Sequence, residues 1–262
     1  MDTLAAILLG IVEGVTEFIP ISSTGHLILA SNLLGVESDA NKLFNVVIQL
    51  GAILAVVVLY WGKFMQVLRD LPRQEEARHF VRNVVLAFLP AMFIGAFAHD
   101  VIKQYLFSPT IVAVGLIVGG IAILLIEKFK PAPRIQSTEA MGCKTALTIG
   151  FIQCLAMVPG ISRSGASIMG ALALGVERKA AAEFSFFLAV PTMLAAAGYD
   201  LYRAKAMLTA DTIAIIATGF VVSFVVAIVV IRWMLNFVSK HGFAPFAWYR
   251  IAVGSAMLVW IF

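Results

Sequence analysis

Two glutamates one helical turn apart are the first residues in this apolar chain that could do chemistry. Glu13 and Glu17 are spaced i and i+4, so both lie on one face of a helix. An ionised group at bilayer depth costs about 2.5–3.5 kcal/mol on insertion scales, so this pair needs a counter-charge or a cation. Carboxylate oxygens with few other donors nearby suit Mg²⁺ or Ca²⁺. We expect the pair to bind a divalent cation or to perform acid–base chemistry; the alternative is a shallow helix with both carboxylates in interfacial water.

A hydroxyl-rich turn follows this pair. Ser22-Ser23-Thr24-Gly25-His26 comes shortly after Pro20, which stops the incoming helix. Hydroxyls and free backbone N–H groups at a helix N-terminus favour an anion. Ser23, beside a carboxylate and an imidazole, has what nucleophilic catalysis needs, and His26 follows it by three residues on the same face. The alternative is a capped turn with an interfacial histidine.

A second turn of the same kind carries a fixed positive charge. It reads Ser162-Arg163-Ser164-Gly165. The guanidinium of Arg163 can donate two N–H groups at once to phosphate oxygens. One arginine, two helix N-termini and several hydroxyls together predict a phosphate site. Alternatively, Arg163 balances the charge of Glu13 or Glu17.

The two turns belong to an internal repeat with an offset of 140 residues. Residues 10–25 read GIVEGVTEFIPISSTG and residues 150–165 read GFIQCLAMVPGISRSG, and 14 of the 50 residues between 6 and 55 are identical at this offset. The copies differ at the chemically important positions: Glu13, Glu17, Ser23 and His26 correspond to Gln153, Met157, Arg163 and Ala166. If the copies meet, they build one asymmetric site.

Composition identifies a membrane protein. The 262 residues are 61% hydrophobic and 13% charged, with a mean hydropathy of +0.97, and a soluble domain would carry about twice that charged fraction. Segments near the length of a spanning helix are residues 41–61, 81–98, 110–126, 180–200, 211–231 and 245–262. Residues 4–34 and 145–175 are apolar but interrupted by the two turns, so each predicts a re-entrant helical hairpin.

The predicted fold class is therefore all-α: one polytopic membrane bundle over residues 1–262, with six spanning helices and two re-entrant hairpins. Each copy, 1–130 and 141–262, crosses the membrane three times, so the second copy must insert in the opposite direction. The two turns then enter from opposite sides and meet near mid-membrane.

The distribution of lysine and arginine predicts the orientation. Thirteen of them fall on one side of this topology, and four fall on the other: Lys42, Lys103, Arg203 and Lys205. The positive-inside rule places the larger group in the cytoplasm. Both termini and the opening of the first hairpin are then extracytoplasmic.

Three motifs carry a family resemblance that covers essentially the whole chain. They are EGVTEFIPISSTGH from Glu13 to His26, PGISRSG from Pro159 to Gly165, and EFSFFLAVP from Glu183 to Pro191. With these motifs the chain resembles the undecaprenyl-diphosphate phosphatase family of the bacitracin-resistance type. The resemblance implies hydrolysis of a C55 lipid diphosphate to the monophosphate outside the inner membrane, with a divalent cation. It also implies that the glutamate-rich motif, His26 and Arg163 are active residues.

The predicted roles follow that chemistry. We expect Ser23 to attack the terminal phosphorus, Glu17 to accept its proton, and Glu13 to hold the metal or orient Glu17. His26 would protonate the leaving phosphate or activate water, and Arg163 would neutralise charge on the phosphoryl group. Metal-activated water or His26 itself remain alternative nucleophiles. The residues expected to hold substrate oxygens are Ser22, Thr24, Gly25, Ser162, Ser164 and Gly165.

A transporter is the competing function. Inverted repeats with broken helices also describe secondary transporters, and a flippase for the lipid monophosphate could use the same architecture. Phosphate release in detergent, where no gradient exists, discriminates the two. The predicted partners are a polyprenyl diphosphate and membrane lipids, with no nucleic acid; the sequence leaves the oligomeric state open, with a homodimer as one candidate.

Overall fold

The computed structural model describes residues 1–36, 39–106, 108–204 and 210–261. Within these ranges the chain forms helices and connecting turns and no β-strand, which confirms the predicted all-α class. The helices are α1 Thr3–Thr16, α2 Ser23–Leu33, α3 Asp39–Leu59, α4 Trp61–Asp70, α5 Glu75–Tyr105, α6 Pro109–Phe129, α7 Cys143–Gln153, α8 Arg163–Ala173, α9 Arg178–Ala204, α10 Ala210–His241 and α11 Ala244–Ile261.

The six predicted spans correspond to α3, α5, α6, α9, α10 and α11. In the described ranges, the last five are long and apolar enough to cross a membrane by themselves. The first differs from the prediction, because the helix ends at Leu59 and the chain bends by 66° into α4. Helix α4 begins at the last residue of the predicted span 41–61. The six-span count therefore holds if this bent pair is one span.

The two interrupted segments form short helices on either side of a break. In the first, α1 and α2 flank residues 17–22; in the second, α7 and a 3₁₀ turn, Cys154–Met157, precede a break that ends at α8. Gly160, in the second break, has φ of +92°, and a Cβ there would lie 2.3 Å from the carbonyl oxygen of Val112. Only glycine fits such a close backbone approach. Phe18 and Ile19 in the first break are at most 5% exposed, as expected for non-helical backbone at membrane depth.

Several helix contacts occur in pairs related by exchange of the two sequence copies. α1 packs on α10 as α7 packs on α5, and α3 packs on α10 as α9 packs on α5. α3 contacts α9, and α6 contacts α11, which joins equivalent helices of the two copies. The internal repeat of 1–130 and 141–262 and the opposite insertion of its copies stay predictions.

The predicted orientation also stays a prediction. The side chains of the minority group, Lys42, Lys103, Arg203 and Lys205, lie outside the described part of the chain.

Candidate active site

Two serines mark the breaks in the hairpins. Ser22 and Ser162 have φ angles of 70° and 77°, a region that non-glycine residues rarely adopt. No other non-glycine residue in the described ranges does so. The two serines are equivalent in the repeat, and each directly precedes a helix, α2 or α8. Strained backbone of this kind persists only where its surroundings enforce it, and it concentrates at functional sites.

The residues that follow these serines present the reactive groups. The Ser23 hydroxyl donates a 2.5 Å hydrogen bond to Oε2 of Glu17. The other carboxylate oxygen, Oε1, accepts a hydrogen bond from Nη2 of Arg163 at 3.0 Å. Glu17 and Ser23 are 6% and 8% exposed, so water screens these contacts little. One carboxylate thus joins the hydroxyl of the first turn to the guanidinium of the second.

Helix α9 fixes the orientation of Arg163. Nη1 of Arg163 donates to the carbonyl oxygen of Ser185 at 2.9 Å and to its hydroxyl at 3.2 Å. Nη2 also approaches the sulfur of Met193 at 3.4 Å, and the Phe18 ring lies 5.8 Å from the guanidinium carbon. The Ser185 hydroxyl is held in turn by that of Ser167 at 2.7 Å. The guanidinium is therefore preorganised before any ligand binds.

The two serines of the second turn have different structural contacts. The Ser164 hydroxyl lies 3.1 Å from the carbonyl oxygens of both Glu17 and Ile19, and Ser164 is fully buried. The Ser162 hydroxyl accepts the N–H of Gly165 at 3.1 Å and so caps α8. Ser164, which was predicted to hold substrate oxygens, supports the Glu17 backbone in this structure.

A cavity of about 500 Å³ opens beside these groups. The predicted site residues that line it are Glu17, Ser22, Ser23, Thr24, Ser162 and Arg163. Its apolar wall includes Phe88, Met92, Met157 and Met193. Of the other predicted residues, Glu13, Gly25, His26, Ser164 and Gly165 are not part of the described lining. A cavity lined by charged groups, Glu17, Arg163 and Asp200, and also by apolar side chains suits an amphiphilic ligand.

Glu13 is buried without a hydrogen-bond donor. It is 0% exposed, and neither of its carboxylate oxygens has a partner in the described part of the chain. A buried, unpaired carboxylate is costly unless a cation or a proton neutralises it. Glu13 is therefore the residue whose surroundings most clearly call for a further positive group.

Both ring nitrogens of His26 have partners other than the Ser23 hydroxyl. Its Nδ1 lies 2.8 Å from the carbonyl oxygen of Ser22, and since a carbonyl only accepts, Nδ1 carries the proton. Its Nε2 lies 2.9 Å from the hydroxyl of Tyr249, whose ring stacks on the imidazole at 5.5 Å. His26 thus follows Ser23 by one turn, as predicted, but it contacts Tyr249 and the backbone of the strained Ser22.

Four residues that the sequence reasoning assigned no role contribute to this region: Ser185, Gln153, Tyr249 and Arg250. Gln153 lines the cavity, is 2% exposed and has no partner for either polar side-chain atom among the described residues. Its correspondence to Glu13 in the repeat was the available signal. For Arg250, the signal was a charge inside the predicted span 245–262. Ser185 lies within the third motif, and nothing in the sequence singled out Tyr249.

Comparison with known proteins adds to this geometry. The family model described as "Bacitracin resistance protein BacA" matches residues 6–256. A protein of Rhizorhabdus wittichii named "Undecaprenyl-diphosphatase" is 56% identical over 262 residues, covering 100% of this chain and 98% of that protein. A protein of the same name from Sphingopyxis alaskensis is 54% identical over 261 residues, covering 99% and 98%. Another, from Parvibaculum lavamentivorans, is 53% identical over 257 residues, covering 98% and 96%.

Proposed function

Because this chain belongs to the family of bacitracin resistance protein BacA, we propose that it hydrolyses undecaprenyl diphosphate to undecaprenyl phosphate and inorganic phosphate. The protein is a multi-pass hydrolase of the bacterial inner membrane, and its activity recycles the lipid carrier of cell-wall synthesis. The name shared by the relatives is that of a hydrolase, which favours the enzyme over the flippase alternative.

One observation carries the proposed chemistry. The Ser23 hydroxyl, Glu17 and Arg163 form a continuous chain of hydrogen bonds, at 2.5 and 3.0 Å, on the wall of an amphiphilic cavity. A serine whose proton is already shared with a carboxylate is an activated nucleophile. A fixed guanidinium beside it stabilises the charge of a transferring phosphoryl group.

In the first step, the Ser23 oxygen attacks the terminal phosphorus, and the bond between that phosphorus and the bridging oxygen breaks. Glu17 accepts the proton of Ser23 and passes it to the leaving undecaprenyl phosphate. In the second step, water attacks the phosphoserine. Glu17 removes the proton of that water and returns it to the Ser23 oxygen as inorganic phosphate leaves. Every proton is thus accounted for by Glu17 and the reactants.

The proposed role of His26 is to hold the nucleophile turn. Its Nδ1–H donates to the carbonyl of Ser22, the residue directly before Ser23, and Tyr249 fixes the other side of the ring. This contact supports the strained φ of Ser22 and thereby aims the Ser23 hydroxyl. Protonation of the leaving phosphate by His26 stays a prediction from the sequence.

We propose a divalent cation, Mg²⁺ or Ca²⁺, as cofactor, with Glu13 and Glu17 as its protein ligands. The two unpartnered oxygens of Glu13 fit such an ion, whereas both oxygens of Glu17 already have partners. The described residues contain no group of three or more His, Cys, Asp or Glu placed to bind a metal. Such an ion would therefore take Glu13 as its first protein ligand and complete its coordination with water or diphosphate oxygens. Glu17 would have to give up its contact with Ser23 or Arg163 to join it. A bound cation would supply neutralisation of diphosphate charge.

The proposed topology places both termini and the cavity mouth on the extracytoplasmic side. An opening there would admit the head group from the outer interface, while the polyprenyl tail stays among membrane lipids along the apolar wall. A homodimer stays a prediction. A C-terminal alkaline-phosphatase fusion should be active under this orientation, and a C-terminal fluorescent fusion glowing in the cytoplasm would contradict it.

Phosphate release by the purified protein in detergent tests the function. We expect inorganic phosphate to appear from undecaprenyl diphosphate with Mg²⁺ or Ca²⁺ present, and to fall after chelation. Lipid transport cannot produce this signal, because detergent removes the membrane. Absence of release with either cation would reject the hydrolase, and undiminished release in chelator would reject only the cation.

A further inference from the structure

We infer that Arg250 of α11 is a positioning residue that holds the two turns of the active site in mutual register. The inference rests on the proposed function, since it concerns how Ser23 and Arg163, on separate hairpins, are kept at one phosphoryl group. Arg250 is 1% exposed although it lies inside an apolar span. A charge at that depth is costly and is retained for a specific reason.

The guanidinium of Arg250 bonds to backbone carbonyl oxygens from three separate segments. Nη1 donates to Pro20 in the first break at 3.0 Å, and Nη2 donates to Gly160 in the second break at 2.8 Å. On α6, Nη2 donates to Gly115 at 3.1 Å and Nε donates to Leu116 at 3.2 Å. One side chain therefore connects both breaks to the same helix.

The two carbonyls from the breaks are equivalent in the repeat. Pro20 and Gly160 differ by 140 positions, the offset of the two copies, and each stands two residues before a strained serine. Carbonyls just past a helix end lack intrahelical donors and need partners when buried. Arg250 supplies hydrogen-bond donors to both carbonyls from a single planar guanidinium. That group therefore pairs the two carbonyls and also fixes the distance between them.

The guanidinium of Arg250 packs directly against Gly119 of α6, where no side chain is present. A Cβ at that position would lie 1.8 Å from Nη2 of Arg250, which no real structure permits. A glycine at this point of a spanning helix is otherwise unfavourable. The guanidinium of Arg250 therefore occupies the space left by the missing side chain of Gly119. Either residue can be substituted without changing Ser23, Glu17 or Arg163.

The consequence for catalysis is geometric. Ser23 and Arg163 begin the helices that follow the two breaks, so a shift of one break relative to the other separates nucleophile and guanidinium. Misplacement by about 1 Å in an active site can cost about 100-fold in rate. Since Arg250 does not line the cavity in the described chain, its loss should affect turnover far more than substrate binding.

The test compares Arg250→Ala, Arg250→Lys and Gly119→Ala with wild type, as phosphate release from undecaprenyl diphosphate by protein purified in detergent. We expect kcat to fall about 100-fold in Arg250→Ala, with little change in KM. Arg250→Lys should recover part of the rate, because an ammonium keeps up to three donors but not the fork. Gly119→Ala should lower kcat in the same direction. The controls are Arg232→Ala, an exposed arginine, and Gly62→Ala, whose Cβ would meet nothing within 4 Å.

A double-mutant cycle separates positioning from simple scaffolding. In the double variant Arg250→Ala/Arg163→Lys, the loss of kcat should be at least about fivefold smaller than the product of the losses in the two single variants. Misalignment of the turns matters less once the guanidinium of Arg163 is gone. Unchanged kcat in any of the three folded variants, or multiplicative losses in the cycle, would overturn the inference. Inactive wild type would instead reject the proposed function, so the two failures are distinguishable.

Discussion

The two turns share a positive φ at equivalent serines and differ in the side chains that follow. Ser22 and Ser162 adopt nearly the same φ, 70° and 77°, and each precedes the N-terminus of a short helix. One position later the copies differ, with Ser23 in the first and Arg163 in the second. The repeated geometry therefore places two helix N-termini together, and the difference at a single position gives the first the proposed nucleophile, Ser23, and the second the cation, Arg163.

The next position shows the same division. Thr24 lines the cavity, whereas its counterpart Ser164 lies behind it and bonds to the carbonyls of Glu17 and Ile19. The first turn thus lines the cavity through Ser22, Ser23 and Thr24. The second turn lines it through Ser162 and Arg163 and supports the first turn through Ser164. Two copies of one sequence repeat can thus take different roles while both keep the positive φ at the serine before the helix.

Removing the proposed nucleophile tests the first turn and should have the largest effect. Ser23→Ala should lower kcat by about 10⁴-fold or more, because a covalent step is lost together with its general base. The measurement is phosphate release under saturating substrate. Ser239→Ala, at an exposed serine on α10, is the control. Substantial residual turnover would favour attack by water or His26 and would make the first turn a binding element.

Removing the cation tests the second turn. Arg163→Ala should lower kcat by about 10³-fold, the lower range for arginines that stabilise phosphoryl transfer. Arg163→Lys should recover only part, because it cannot reach Ser185 and Glu17 together through a planar fork. The exposed Arg69→Ala serves as control. Full activity of Arg163→Lys would mean that the second turn contributes only a positive charge and that the planar geometry of the guanidinium is not required.

Replacing the unpaired carboxylate of Glu13 makes the two copies identical at this position. Glu13→Gln gives the first copy the residue that the second has at Gln153. If Glu13 holds the cation, the Mg²⁺ concentration for half-maximal rate should rise on the order of 10-fold or more, and excess Mg²⁺ should restore part of the rate. Glu75→Gln, at an exposed carboxylate on α5, should change nothing. Loss of rate without any shift in Mg²⁺ dependence would assign Glu13 to orienting Glu17.

The sequence predicts the parts of this arrangement that depend on spacing. The 140-residue offset located both turns, and the exchange of Ser23 for Arg163 indicated that they would form one site, as their links through Glu17 show. Spacing along a sequence predicts the helix face on which a residue lies, but it does not predict which other helix packs against that face. For this reason the contact of His26 with Tyr249, 223 residues away, could not be predicted.

The same limitation explains the direction of Ser164 and the bend after Leu59. A hydroxyl at a helix N-terminus can cap, bind a ligand or cross to a neighbouring carbonyl, and only tertiary packing chooses among these. The break between α3 and α4 lies in an apolar stretch with no proline, so local pattern does not mark it.

Weakening the support of Arg163 should have the smallest effect. Ser185→Ala removes the hydroxyl 3.2 Å from Nη1 but leaves the Ser185 carbonyl at 2.9 Å, so the guanidinium keeps its main acceptor on α9. A single hydrogen bond is worth about 1 kcal/mol, so kcat should fall about fivefold. Ser223→Ala is the matched control, because Ser223 is also fully buried but its hydroxyl has no partner in the described chain. Equal losses of kcat in the two variants would mean that the Ser185 hydroxyl on α9 does not help to orient Arg163. The difference between the two turns would then depend on the residues of the turns alone.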